Sequence, residues 1–194
     1  MRPAQAGLLF AVVGLTAVVT LAQTSAYHGV VQASAFMLEP PMSLTISSPS
    51  FANGGDIAKK FTCDSADVSP QLTWTDPPAG TKTFALLADD PDAPVGNWNH
   101  WTAWNLPGNL RGLPEGVVKE AHLADGTEQG RNDFRKTGYN GPCPPPGKPH
   151  RYYFKLFALD GKLDLKPGAG KKELEAAMKG HILAQSEWMG RYGR

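Results

Sequence analysis

Apolar positions along this chain fall in short runs, not long stripes. Runs of strand length occur at residues 44–46, 60–63, 72–75, 83–89, 100–106 and 151–159, and Asn53-Gly54-Gly55, Asp76-Pro77-Pro78 and Asp160-Gly161 punctuate them. Short strands spaced this way predict an antiparallel sandwich or barrel, because alternating βαβ units need a helical segment between successive strands. One helix is predicted, near the end. Leu174, Ala177, Met178, His181, Ile182 and Gln185 recur at helical spacing, Lys171, Lys172, Glu175 and Lys179 take the other side, and Gly190 reads as a stop. Residues 125–150 are polar and rich in Gly and Pro, and a loop of that length in a compact domain usually carries function. No internal repeat is present.

The first residues follow another logic. Arg2 is the only charged residue before position 27; an apolar run from Gly7 to Ala22 follows it, then the small residues Thr24-Ser25-Ala26. That is the layout of a secretory signal peptide, with cleavage expected after Ala26 and Ala33-Ser34-Ala35 as a later alternative. The run is short for a membrane span of about 20 apolar residues, and no Cys follows it as a lipoprotein would require. The expected organisation is a signal peptide at 1–26, a tether at 27–42 and one domain at 43–194, in a protein exported to the periplasm or the cell exterior.

Composition narrows the function classes. With 19 Lys and Arg against 18 Asp and Glu, and no basic run, the chain lacks the electrostatic footprint of a nucleic-acid binder. Gly 21 and Pro 17 point to many turns and little helix. The two cysteines, Cys63 and Cys143, are an isolated pair, and in an oxidising compartment such a pair is expected to bridge.

Three elements carry chemistry. Asp89-Asp90-Pro91-Asp92-Ala93-Pro94 closes an apolar run; in extended backbone Asp90 and Asp92, two apart, would share one face. Trp98-Asn99-His100-Trp101 begins the next strand. Gly138 to Gly147 is a proline-dense loop in which Gly141 permits a close backbone approach, and it leads to His150 and Tyr152, again two apart. Tyr139 reads as a packing residue.

Together these segments resemble the phosphatidylethanolamine-binding protein family, specifically its bacterial Raf kinase inhibitor-like branch. The resemblance rests on DPDAP at 90–94, HW at 100–101 and GPCPPPGKPHRYYF at 141–154, with support from FTCDSADVSPQLTW at 61–74 and LAQSEWMGRYGR at the end. It implies a mostly β, Greek-key sandwich with a C-terminal helix and a small cavity beside the Pro-rich loop. Carried over by position, that cavity would be lined by Asp90, Asp92, Pro94, Trp98, His100, Gly141, His150 and Tyr152. Asn99 stands where the family often has a second histidine, and the C-terminal segment differs from that of animal members, which puts any lid role of Glu187 or Trp188 in doubt.

Such a cavity is expected to bind an anion, phosphate or a phosphorylated small molecule or lipid head group, without catalysis and without a cofactor. Protons shared among Asp90, Asp92, His100 and His150 would offset its carboxylates, and imidazole N–H groups, the Tyr152 hydroxyl and amides beside Gly141 would donate. Membrane contact would be peripheral at most. Two rivals remain. One is a protease inhibitor or protein-interaction module in which the cavity is secondary. The other is a metal-dependent hydrolase using the same Asp and His side chains, although no HExxH or HxH spacing occurs, and no Gly-x-Ser-x-Gly elbow of a serine hydrolase either.

Overall fold

The computed structural model describes residues 43–166 and 168–194; the expected signal peptide and tether lie outside them. Eight strands form two antiparallel sheets. β1 (Ile46–Ser47), β2 (Leu72–Trp74) and β5 (Gly112–Leu113) make a small sheet in the order β1-β2-β5. The larger sheet runs β6-β4-β3-β7-β8, built from β3 (Thr83–Asp90), β4 (Trp98–Pro107), β6 (Glu128–Gln129), β7 (His150–Leu159) and β8 (Ile182–Tyr192). β7 returns across a long connection to lie beside β3, a Greek-key path.

β3 is buried at every position because both faces of the large sheet are covered. Phe84, Leu86 and Ala88 join Trp101, Phe154 and Leu156 in the core between the sheets, while Ala85 and Leu87 pack with Trp104, Leu174 and Met178 under the helix α1 (Lys171–Ala177) on the outer face. Outward-facing Asp89 is 1% exposed and accepts from Lys171 at 2.8 Å, Lys155 at 3.3 Å and Asn99 at 3.2 Å. That ligation is what makes a buried carboxylate tolerable there. Asn99 is held by three of its own donor contacts and by Thr102, with none toward the cavity described below.

The fold class matches the expectation; two local readings do not. The run at 60–63 is a single 3-10 turn, Lys59–Phe61, which tucks Phe61 into the core. The helical spacing at 174–185 holds only to Ala177. Gly180 then turns the chain at φ +84, and residues from Ile182 pair with β7 as a strand. Alternation explains this. Ala184, Ser186, Trp188 and Gly190 face Ala158, Leu156, Phe154 and Tyr152 across the register, at a period of two. Gly190 is not a helix stop, since a Cβ there would press on Ile57 and Phe51. Glu187 and Trp188 are strand residues, and Trp188 Nε1 donates to Phe51 O at 3.2 Å, anchoring it to the body of the sandwich. Among the described residues no helix is long and apolar enough to cross a membrane.

Candidate functional site

β3 ends where β4 and β7 begin, so Asp90, His100 and His150 are delivered to one end of the large sheet. The turn after β3 is set by Asp90, whose Oδ1 accepts the amide of Asp92 at 2.9 Å while Pro91 between them offers no N–H. A cavity of about 250 Å³ opens there, lined by Asp90, Pro94, Trp98, His100 and His150, with Phe134, Cys143, Pro144 and Pro145 completing its walls. Five of the eight residues expected at the cavity thus line it.

The other three are placed differently. Asp92 does not share a face with Asp90, because the strand stops at Asp90 and the turn rotates the next carboxylate outward. Arg151 then clamps it, with Nη2 to Oδ1 at 2.7 Å, and Nε and the backbone N to Oδ2 at 2.9 Å each. The Arg151 hydrogen bonds hold the Asp92 pKa down at about 2, so Asp92 takes no part in a shared proton set. Gly141 meets protein, not ligand. A Cβ on it would overlap the carbonyl of Phe61, and its amide donates to Asp67 Oδ1 at 2.6 Å. Tyr152 is buried behind the cavity, its ring 5.2 Å from that of His100, edge to face, and its hydroxyl has no partner among the described residues. Burial first, and the Asp90 charge second, push the Tyr152 pKa well above its ordinary 10. Trp98 Nε1 is likewise buried and unpartnered.

Both imidazoles are oriented from behind. His100 Nδ1 donates to Asn140 O at 2.7 Å and Gly141 O at 3.1 Å. Those carbonyls are fixed in turn by Asp67, which sits at φ 55 and accepts from the Asn140 side chain at 2.9 Å, the Gly141 amide and Lys119 Nζ at 2.7 Å. A non-glycine residue in that region costs on the order of 1–2 kcal/mol, and three charge-assisted hydrogen bonds outweigh it. Burial lowers the His100 pKa below its ordinary 6.5, against the opposing pull of the Asn140 carbonyl and Asp90. His150 Nδ1 donates to Asp90 Oδ2 at 2.8 Å. Sequence reasoning missed Asp67 and Arg151, neither of which lines the cavity, and Phe134, whose ring stands 5.2 Å from His100 and 5.4 Å from Trp98.

The Pro-rich wall is tied to the body of the protein by the Cys63–Cys143 disulfide, whose Cα atoms are 5.4 Å apart. Arg194 adds to this, donating from Nε to Pro144 O at 2.8 Å and from Nη2 to Cys143 Sγ at 3.2 Å. A larger groove of about 400 Å³ on the outer face, lined by Lys155, Phe157 and Glu187 among others, presents Lys155 already engaged with Asp89. Among the described residues no group of three or more His, Cys, Asp or Glu gathers as a metal site.

Comparison with known proteins places these features in a lineage. A profile described as phosphatidylethanolamine-binding protein matches residues 47–193. A UPF0098 protein of Aquifex aeolicus is 48% identical over 153 residues, covering 78% of this chain and 89% of the relative. One from Methanothermobacter thermautotrophicus is 44% identical over 151 residues, covering 78% and 99%. Among solved structures, a phosphatidylethanolamine-binding protein homolog from Chlamydia trachomatis superposes with a TM-score of 0.72 at 37% identity, over 78% of this chain and 98% of that one. E. coli YbcL, described as a member of the mammalian family, gives 0.73 at 33% identity over 78% and 99%.

Proposed function

Because this chain belongs to the phosphatidylethanolamine-binding protein family, we propose that it is an exported, Raf kinase inhibitor-like binding protein whose cavity between Asp90, His100 and His150 takes a small anion, phosphate or a phosphorylated compound. One observation carries the reading: two imidazoles from different strands border the same 250 Å³ cavity, each held by its Nδ1. A volume of that size suits a phosphate and a short substituent and is far below that of a two-chain lipid. Export is supported by the surface disulfide, since Cys63 is exposed and such bonds persist in oxidising compartments.

The groups around His100 are Asp90 from β3, His150 and Tyr152 from β7 and the carbonyls of Asn140 and Gly141, with Asp89 and Arg194 further out. His100, whose pKa burial holds below 6.5, gains a proton at its free nitrogen only in acid, and the acceptor then becomes a donor. An added N–H donor and positive charge attract an anion, so calorimetric titration with inorganic phosphate should show tighter binding at about pH 5.5 than at about pH 8. An affinity that is flat or rises with pH removes the proposal.

A further inference from the structure

Asp89 redirects the charges on the outer face of the large sheet. Lys155 and Glu187 stand directly opposite each other in the β7–β8 register, the ordinary place for a cross-strand ion pair. That pair does not form. Lys155 Nζ lies 3.3 Å from Asp89 Oδ2, and Lys171 Nζ approaches the same oxygen at 2.8 Å. Asp89 is 1% exposed, and stripping a buried carboxylate of its cations costs far more than a surface ion pair gains. Glu187 therefore has neither a cation within ion-pair distance nor a hydrogen bond among the described residues. It borders the groove of about 400 Å³ whose floor is Leu87 and Phe157 and whose exposed rim also carries Glu175 and Gln185. The one cation near Glu175, Lys171, is 3.8 Å away and already held by Asp89. Asp89, Glu175 and Glu187 against Lys155 and Lys171 leave the groove one negative charge in excess. It shares no lining residue with the cavity between Asp90 and His150.

We propose that this groove binds a small primary amine carried on a flat apolar body, an arylalkylamine. A primary ammonium offers three N–H donors and no acceptor. Glu187, Glu175 and the Gln185 side-chain carbonyl set three acceptors around one rim, and Gln185, like Glu187, makes no side-chain hydrogen bond among the described residues. The ligand ring packs on Leu87 and against the half-buried ring of Phe157, where an offset or edge-on contact is favourable. The size fits, since small-molecule sites span roughly 300–1,000 Å³. A carboxylate of the same shape is rejected: it meets Glu175 and Glu187, while both lysines are engaged with Asp89. This site needs neither histidine, so it stands or falls apart from the anion-binding reading of the cavity.

The test is titration of the purified protein with phenethylamine at about pH 7, where a primary amine is protonated, followed by amide NMR. Saturable shifts should centre on residues 155–157 and 185–187. Phenylpropanoate, similar in shape and opposite in charge, should not saturate. The Glu187→Gln protein, altered at an exposed side chain without a partner, should bind phenethylamine about three- to tenfold more weakly. The N-trimethyl analogue keeps the charge and lacks the N–H donors, and it should bind the wild type at least about threefold more weakly. Absence of saturation with phenethylamine, equal binding of phenylpropanoate or of the trimethyl analogue, or a loss of under about threefold in Glu187→Gln overturns the proposal. Shifts centred on His100 and His150 overturn it as well.

Discussion

Removing the bridge between Cys63 and Cys143 should destabilise this protein strongly and leave its fold in place. The cysteines are 80 residues apart in sequence, and the chain-entropy relation for a loop of that length gives about 4.5 kcal/mol of denatured-state restriction at 25 °C. The native side of the balance should change little, because the same two segments are joined without sulfur. Cys63 N donates to Pro142 O at 3.1 Å, Tyr139 Oη to Phe61 O at 2.8 Å and the Gly141 amide to Asp67 at 2.6 Å. For a domain of about 150 residues, with an unfolding entropy of about 2.1 cal/mol/K per residue, each kcal/mol moves Tm by about 3 °C. Scanning calorimetry of the Cys63→Ala/Cys143→Ala protein should therefore show one cooperative transition lowered by about 10–15 °C. A fall of under about 3 °C would refute the entropic reasoning. Loss of cooperativity would refute the claim that the flanking hydrogen bonds hold the loop unaided.

Two further substitutions test the surroundings of the site. Arg151→Met frees Asp92, whose pKa of about 2 is mainly the work of that guanidinium; the pair is exposed and screened by solvent, so the loss of stability near neutral pH should be small. Its stabilisation is present above the ordinary 3.8 and is lost as pH falls toward 2, so urea titrations should show the wild type losing this increment in that window and the variant not; equal acid slopes would contradict the assignment. Gly141→Ala would drive a Cβ into the Phe61 carbonyl and to 2.8 Å from Thr62 Cα, both backbone, whereas Gly161→Ala meets nothing within 4 Å. Chemical denaturation should separate them, at about 3 kcal/mol or more against about 0.5 kcal/mol or less, and comparable losses would show that the loop yields.

What could be read from the sequence was whatever rests on period and local chemistry. β7 announces itself because His150, Tyr152, Phe154, Leu156 and Ala158 alternate with more exposed neighbours. The same period exists in β8, yet its inward positions include Ala184, Ser186 and Gly190, too small or polar to stand out against the apolar spacing that α1 begins at Leu174. Asp90 and His150 come together as their motifs suggested. The fate of Asp92 was decided by an arginine 59 residues away, and that of Gly141 by the backbone of Phe61. Phe134 closes the cavity from within residues 125–150, a stretch whose composition signals a loop and says nothing of which side chain turns inward.

The pairing of β3 with β7 also bears on how the chain comes to exist. Asp90 and His150 are 60 residues apart, so ribosomal synthesis delivers the acid long before its imidazole. Until residues 150–159 follow, β3 has the β4 hairpin on one side and an open edge on the other, and six of its eight residues are aliphatic, aromatic or threonine. A bare edge of that kind recruits other strands. Fragments that end within the Pro-rich loop thus lack His150 and a closed central sheet, and they are poor reagents for asking what the site binds.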